Sequence, residues 1–299
     1  MEIRGLLYAL LSGFSGALFA QAYKFRTRLE YGPRPVIAWF AVWFSGFSAL
    51  LVGLLGSWRY SLSLLTLGVV FGISFVSAIY LYMRVSEKAR LNISWTIVQT
   101  SVVLPFGLSI IIFDERPDPI SWVGIVLIGL AICIFAAAKW RERNQADVGD
   151  WQTLVMLIAS SILTGLNLSV PKILHHVDPG GTIFSLLPYA GMSMLATALM
   201  LNFVVPARRP TDMGRSAGRT GGLAVLSGYM AVTTSAATIC VYYALESLAG
   251  SIVYPIRNVV CVVVVTLLAA VLFRERAAKL EMVGIGIALC GIALISAAL

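Results

Sequence analysis

The sequence predicts an all-α integral membrane protein whose ten transmembrane helices form two inverted five-helix repeats, and three observations carry that prediction. Of its 299 residues 59% are hydrophobic and 12% charged, and the mean hydropathy is +0.88, a composition foreign to a soluble fold of this length. The apolar runs are continuous rather than alternating with a period of two. Runs of about 19 residues or more cross about 30 Å of hydrocarbon as helices, which satisfy their own backbone there, whereas barrel strands would alternate. Finally, residues 113–138 and 273–298 repeat one pattern at an ungapped offset of 160. Phe113, Glu115 and Arg116 match Phe273, Glu275 and Arg276, Val123-Gly124-Ile125 matches Val283-Gly284-Ile285, and nine of the 26 aligned positions are identical.

The first apolar run covers residues 5–23. Its Ala17-Leu18-Phe19-Ala20 before Gln21 resembles a signal-peptide cleavage site. Ser12 and Lys24, however, recur as Ser160 and Lys172 at the matching place in the second half, which makes this run the first helix of a repeat. Residues 35–55, 64–83, 93–113 and 120–138 complete five spans. The charged stretch 139–150 then separates the halves, and residues 151–170, 181–205, 222–245, 251–273 and 280–298 supply five more. The 160-residue offset reaches back through the third and eighth spans, where Gly68 meets Gly228, Tyr82 meets Tyr242 and Ala89 meets Ala249. The expected units are therefore 1–138, a linker 139–150, and 151–299. An odd number of spans per unit turns the second upside down relative to the first, the plan of secondary transporters, with the substrate site near midplane between the halves. Gly13 with Gly16, Gly124, Gly284 with Gly286, and Gly291 suit close helix contact.

Charge sets the expected orientation. Alternate loops on one side hold 17 Lys and Arg and the other side holds four, so the linker is expected to be cytoplasmic and both termini external, in the cell membrane. The net charge of +8 is accounted for by this asymmetry and by anionic lipid, so no nucleic-acid partner is expected. Cys133, Cys240, Cys261 and Cys290 lie inside apolar runs without metal-ligand spacing and read as small core residues. No catalytic constellation or nucleotide-binding loop appears, so neither an enzyme, a cofactor nor a metal is expected. The expected partners are a small-molecule substrate and membrane lipid, with the chain a monomer or weak homodimer.

Candidate site residues are polar groups inside spans, because these are costly in lipid and face the bundle interior. All fourteen Asp and Glu residues fall in loops or at helix ends, with Glu246, ending the eighth span, nearest to depth. Coupling is therefore expected to be exchange or facilitated diffusion, or to titrate Lys24, Lys172 or Glu246. Arg257 stands about 9 Å into the ninth span, at about 1.5 Å per residue, and shares one helical face with Tyr254 and Asn258. Pro255 frees a carbonyl one turn earlier, making an anion site; the alternative is an arginine that snorkels to the interface or pairs with Glu246. Gln99, one turn after Trp95, and Asn167 are candidates in the fourth and sixth spans, or interhelical hydrogen-bonding groups. Trp43 and Tyr189, which occupy matching places in the second and seventh spans, either face the site or pack at the membrane surface. His175 and His176 read as solvated, and the Glu-Arg turns as hairpins closed by a local ion pair.

With ten spans, the five-plus-five duplication, and Phe-x-Glu-Arg turns ahead of Val-Gly-Ile, the chain resembles the drug/metabolite transporter superfamily, in its ten-helix EamA-like form. The resemblance covers essentially the whole chain and implies a secondary transporter or exchanger of a small organic metabolite working by alternating access. The alternative within the superfamily is a flippase for lipids or lipid-linked sugars. The motifs define the fold and not the cargo. A proline often found early in the fourth helix of such families sits late here, at Pro105, while Pro255 sits early in the ninth.

Overall fold

The computed structural model describes residues 2–56, 58–86, 98–143, 151–204, 220–273 and 279–298, and every regular element in them is helical. The first half holds α1 (Glu2–Arg28), α2 (Pro33–Leu55), α3 (Leu62–Ser86), α4 (Val103–Ile111) and α5 (Pro119–Arg143). The second holds α6 (Trp151–Val177), α7 (Ile183–Val204), α8 (Thr220–Ser247), α9 (Gly250–Phe273) and α10 (Lys279–Ala298). Helices α1, α2, α3, α6, α7, α8 and α9 are long and apolar enough to cross a membrane, and shorter apolar stretches belong to α4, α5 and α10. The protein is a multi-pass membrane protein. Phe203, Ile111 and Val271, 85%, 82% and 75% exposed, show an outer surface that only hydrocarbon would solvate favourably.

Local chemistry sets the helix ends. Pro33 opens α2, where its missing N–H would have had no partner, and Gly56 closes it at φ +60° with its amide bonded to the Val52 carbonyl. Asp118 opens α5, its carboxylate accepting from the Ile120 and Ser121 amides and the Ser121 hydroxyl. The Ser121 bonds hold this carboxyl below the usual range. Helix α6 continues seven residues beyond the expected 170, through Pro171, so that Lys172 is a helical residue rather than the end of a span.

The helices pack mainly across the two halves, and exchanging helix n for n+5 maps one set of interfaces onto the other. Thus α1 lies on α8 as α6 lies on α3, α1 on α9 as α6 on α4, and α2 on α8 as α7 on α3, while α2–α7, α4–α9 and α5–α10 pair with their own mates. This is the pseudo-twofold relation of inverted repeats. Glycines bring the axes together where backbone meets backbone. A Cβ on Gly13 would lie 2.5 Å from the Arg257 carbonyl, and one on Gly124 would lie 2.8 Å from the Gly291 carbonyl, with the reverse true of Gly291. Gly286 faces nothing within 4 Å, so close contact does not explain it.

Two expectations are revised, one of charge and one of packing. Arg26 and Arg34 are 2% and 8% exposed, lying in α1 and at the start of α2 rather than in a solvated loop. Cys133 and Cys290 are exposed on the outer helix faces and only Cys261 is buried, so the first two are not core residues.

Candidate functional site

Between the repeats lies a cavity walled by three helical segments from each half. Gly16, Phe19 and Tyr23 come from α1, Phe71, Phe75 and Tyr82 from α3, and Gln99 from the segment ahead of α4. The second half gives Ser160, Thr164 and Asn167 on α6, Thr234 and Thr238 on α8, and Arg257 and Cys261 on α9. Arg257 is the one charged side chain among the described lining residues, and no carboxylate is among them.

Neighbouring helices hold the arginine in place. Its Nε donates to Ser12 Oγ at 3.0 Å, and that hydroxyl donates onward to the Ala237 carbonyl at 2.8 Å. Gly16 lies beside the guanidinium, where a Cβ would sit 3.7 Å from Nη2, in ordinary contact. No salt bridge to Arg257 occurs among the described residues, so the expected alternative of a pair with Glu246 is not what the fold builds. Snorkelling is not built either, since the head group turns into the cavity wall.

Its expected companions divide. Asn258 is fully buried and donates from Nδ2 to the Gln99 carbonyl, tying α9 to the segment ahead of α4. Tyr254 is 1% exposed, and neither it nor Asn258 lines the cavity. Gln99 lines it and donates to Cys261 Sγ at 3.0 Å; Asn167 lines it and donates to the Phe71 carbonyl at 3.1 Å. These amides therefore make interhelical hydrogen bonds while lining the cavity. Trp43 is 46% exposed and packs beside Gly228, outside the cavity lining. Tyr189 is buried with its hydroxyl bonded to the Arg59 carbonyl and its ring against Trp58, also outside the lining. Trp95 lies outside the described residues.

Sequence reasoning missed the aromatic wall. Phe71 and Phe75 stack with planes 8° apart, Phe19 packs on Phe75, and Tyr82 meets Tyr23 edge to face at 4.7 Å. Phe, Tyr and Leu look alike in an apolar run, so only helix packing reveals which faces converge. A signal for the polar wall was present in Thr233-Thr234-Ser235 and Thr238, a hydroxyl cluster inside an otherwise apolar α8.

The Glu-Arg turn after α4 is not closed as expected. Its local pair is Arg116 with Asp114, both exposed, while Asp114 takes φ +48° and turns the chain so that Glu115 points inward. Glu115 pairs with Lys172 of α6 and accepts from the Gly250 and Ser251 amides at 3.0 and 2.8 Å, capping the start of α9. Burial alone would raise its pKa, but Lys172 and the two amides prevail and hold it below the ordinary value. The matching Glu275 and Arg276 lie outside the described residues. Nor is His175 simply solvated: it stacks on Tyr242 at 4.1 Å and bonds its carbonyl.

The EamA-like transporter family matches residues 151–297. The match covers the second half of the chain, which is thereby similar to the EamA-like transporters of the drug/metabolite transporter superfamily, a family of membrane transporters. One solved structure, described as "Crystal structure of protein", is 11% identical, with a TM-score of 0.71 over 99% of this chain and 98% of its own, a likeness of fold. No curated protein sequence matches.

Proposed function

We propose that the protein is a secondary transporter or exchanger that moves a small anionic or strongly polar organic metabolite through the cavity by alternating access of its two inverted repeats. The observation that supports this reading is Arg257, held by Ser12 in a cavity shared by both repeats and without an acidic partner among the described residues. A guanidinium partly withdrawn from water is stabilised by an anion, and its planar fork suits carboxylate or phosphate. Glu115 would close one end of the path, since its bonds to Lys172 and to the start of α9 join elements of both repeats. With no carboxylate in the described lining, exchange or facilitated diffusion needs no titrating group in the cavity.

Counterflow in proteoliposomes tests this. Vesicles preloaded with an organic anion found by a thermal-shift panel should accumulate the labelled anion against its gradient, and Arg257→Lys vesicles should not. Competition by polyprenyl phosphates but not by water-soluble anions would instead favour flipping of a lipid-linked cargo.

A further inference from the structure

We infer that the cavity selects an organic monoanion, a carboxylate carried on a flat or branched apolar body, and rejects the zwitterion and the amine built on that same body. The inference rests on the transporter reading above and narrows its cargo.

The charge inventory comes first. Among the described lining residues one side chain is cationic and none anionic, so one unit of negative charge is what the wall can neutralise. Arg257 is buried to an intermediate degree, its Nε is taken by Ser12, and neither Nη has a protein partner among the described residues. Those two nitrogens offer the parallel donors that a carboxylate accepts. An independent observation lies across the same wall. Thr234, 5% exposed, lines the cavity, and its hydroxyl is buried with no hydrogen-bond partner. A buried hydroxyl left unsatisfied is costly, and a second acceptor oxygen from a cargo would relieve it.

The rest of the wall fixes the body of the cargo. Phe71 and Phe75 stack with centroids 5.9 Å apart, Phe19 lies 5.9 Å from Phe75, and Tyr82 closes on Tyr23. Such a ledge takes an aryl ring or branched alkyl group by burial and edge contacts. An ammonium group finds no carboxylate among the described lining residues and is repelled by Arg257. The faces of the aromatic rings attract a cation, but weakly compared with the cost of stripping its water beside another positive charge. A cargo with two or more phosphates would carry charge that a single guanidinium does not balance.

The test uses matched triplets on purified wild-type protein by isothermal titration: 3-phenylpropionate, phenylalanine and phenethylamine, then 4-methylpentanoate, leucine and isopentylamine. In at least one triplet the acid should bind ten-fold or more tightly than the amino acid, and the amine should not bind saturably. Arg257→Gln, checked for monodispersity and helical content, should lose that preference; Thr234→Val, a gentler change, should weaken the acid a few-fold. Amino acids binding as tightly as their acids, or neither acid binding, overturns the inference. Flux of the bound acid in proteoliposomes separates the two levels: uptake of amino acids refutes the cargo class while transport stands, whereas tight acid binding without flux refutes transport while the class stands.

Discussion

Arg257 shows how one residue acquires its placement from its neighbours. Its depth could be counted along the sequence, but its direction is set by Ser12, a hydroxyl 245 residues away on α1. Arg257→Lys should leave the fold intact and weaken anion binding by about 10 to 100-fold, because a point charge replaces a planar donor fork. Titration of monodisperse variants checks it, and wild-type affinity in the lysine variant would remove Arg257 from the site. Ser12→Ala removes a single positioning bond of about 0.5–1.5 kcal/mol, so a loss of roughly 2 to 10-fold is expected. Glu115 acts on stability. Its lowered pKa means that its contribution is complete above the unfolded value of about 4.3 and is lost as pH falls through the folded value. Glu115→Gln should cost about 1–3 kcal/mol at pH 7 through the weakened cap and the unpaired Lys172, and thermal melts in detergent should show the gap to wild type narrowing near pH 3. The sequence pointed to Arg257, Gln99 and Asn167, because polar groups stand out against an apolar background. It could not identify Glu115, whose partners lie 57 and 135 residues away, nor exclude Trp43 and Tyr189 from the lining, because a side chain's facing depends on packing.

At the scale of helices, close approach governs. Gly13→Val puts a side chain against the Arg257 carbonyl, and Gly124→Val does the same against Gly291. Each should destabilise by about 1–3 kcal/mol as an overpacked contact, with backbone on the other side unable to yield. The Gly13 change should also disturb binding, since it displaces the helix that carries Ser12, whereas Gly124→Val in the remote α5–α10 pair should lower the melting temperature and leave affinity unchanged. Spans were legible because continuous apolar runs have a single solution in lipid; their ends were less so. The extension of α6 through Pro171 and Lys172 crosses a proline that a sequence reader takes as a boundary. The 3-10 turn at Thr100–Val102, beside Gln99, breaks the expected fourth span at the cavity wall, a local irregularity that propensity does not announce.

Across the whole molecule, duplication does the organising. The 160-residue offset is visible in sequence, and the interfaces that swap under n to n+5 are its three-dimensional form. The sequence showed the symmetry but not that the main interfaces run between the halves, which places the cavity against both repeats. Orientation remains a proposal drawn from 17 basic residues against four. With native cysteines replaced, Gln145→Cys should resist an impermeant maleimide in intact cells and react in inverted vesicles; labelling from outside would reverse the assignment. The central claim, that the cavity between the repeats is a path open to each side in turn, is tested most directly at Thr164, which lines it on α6. In the same background, Thr164→Cys should react with the impermeant reagent in right-side-out and in inverted vesicles, and an anion that binds at Arg257 should slow both reactions. Reaction from one side only, or rates indifferent to that anion, would contradict the claim.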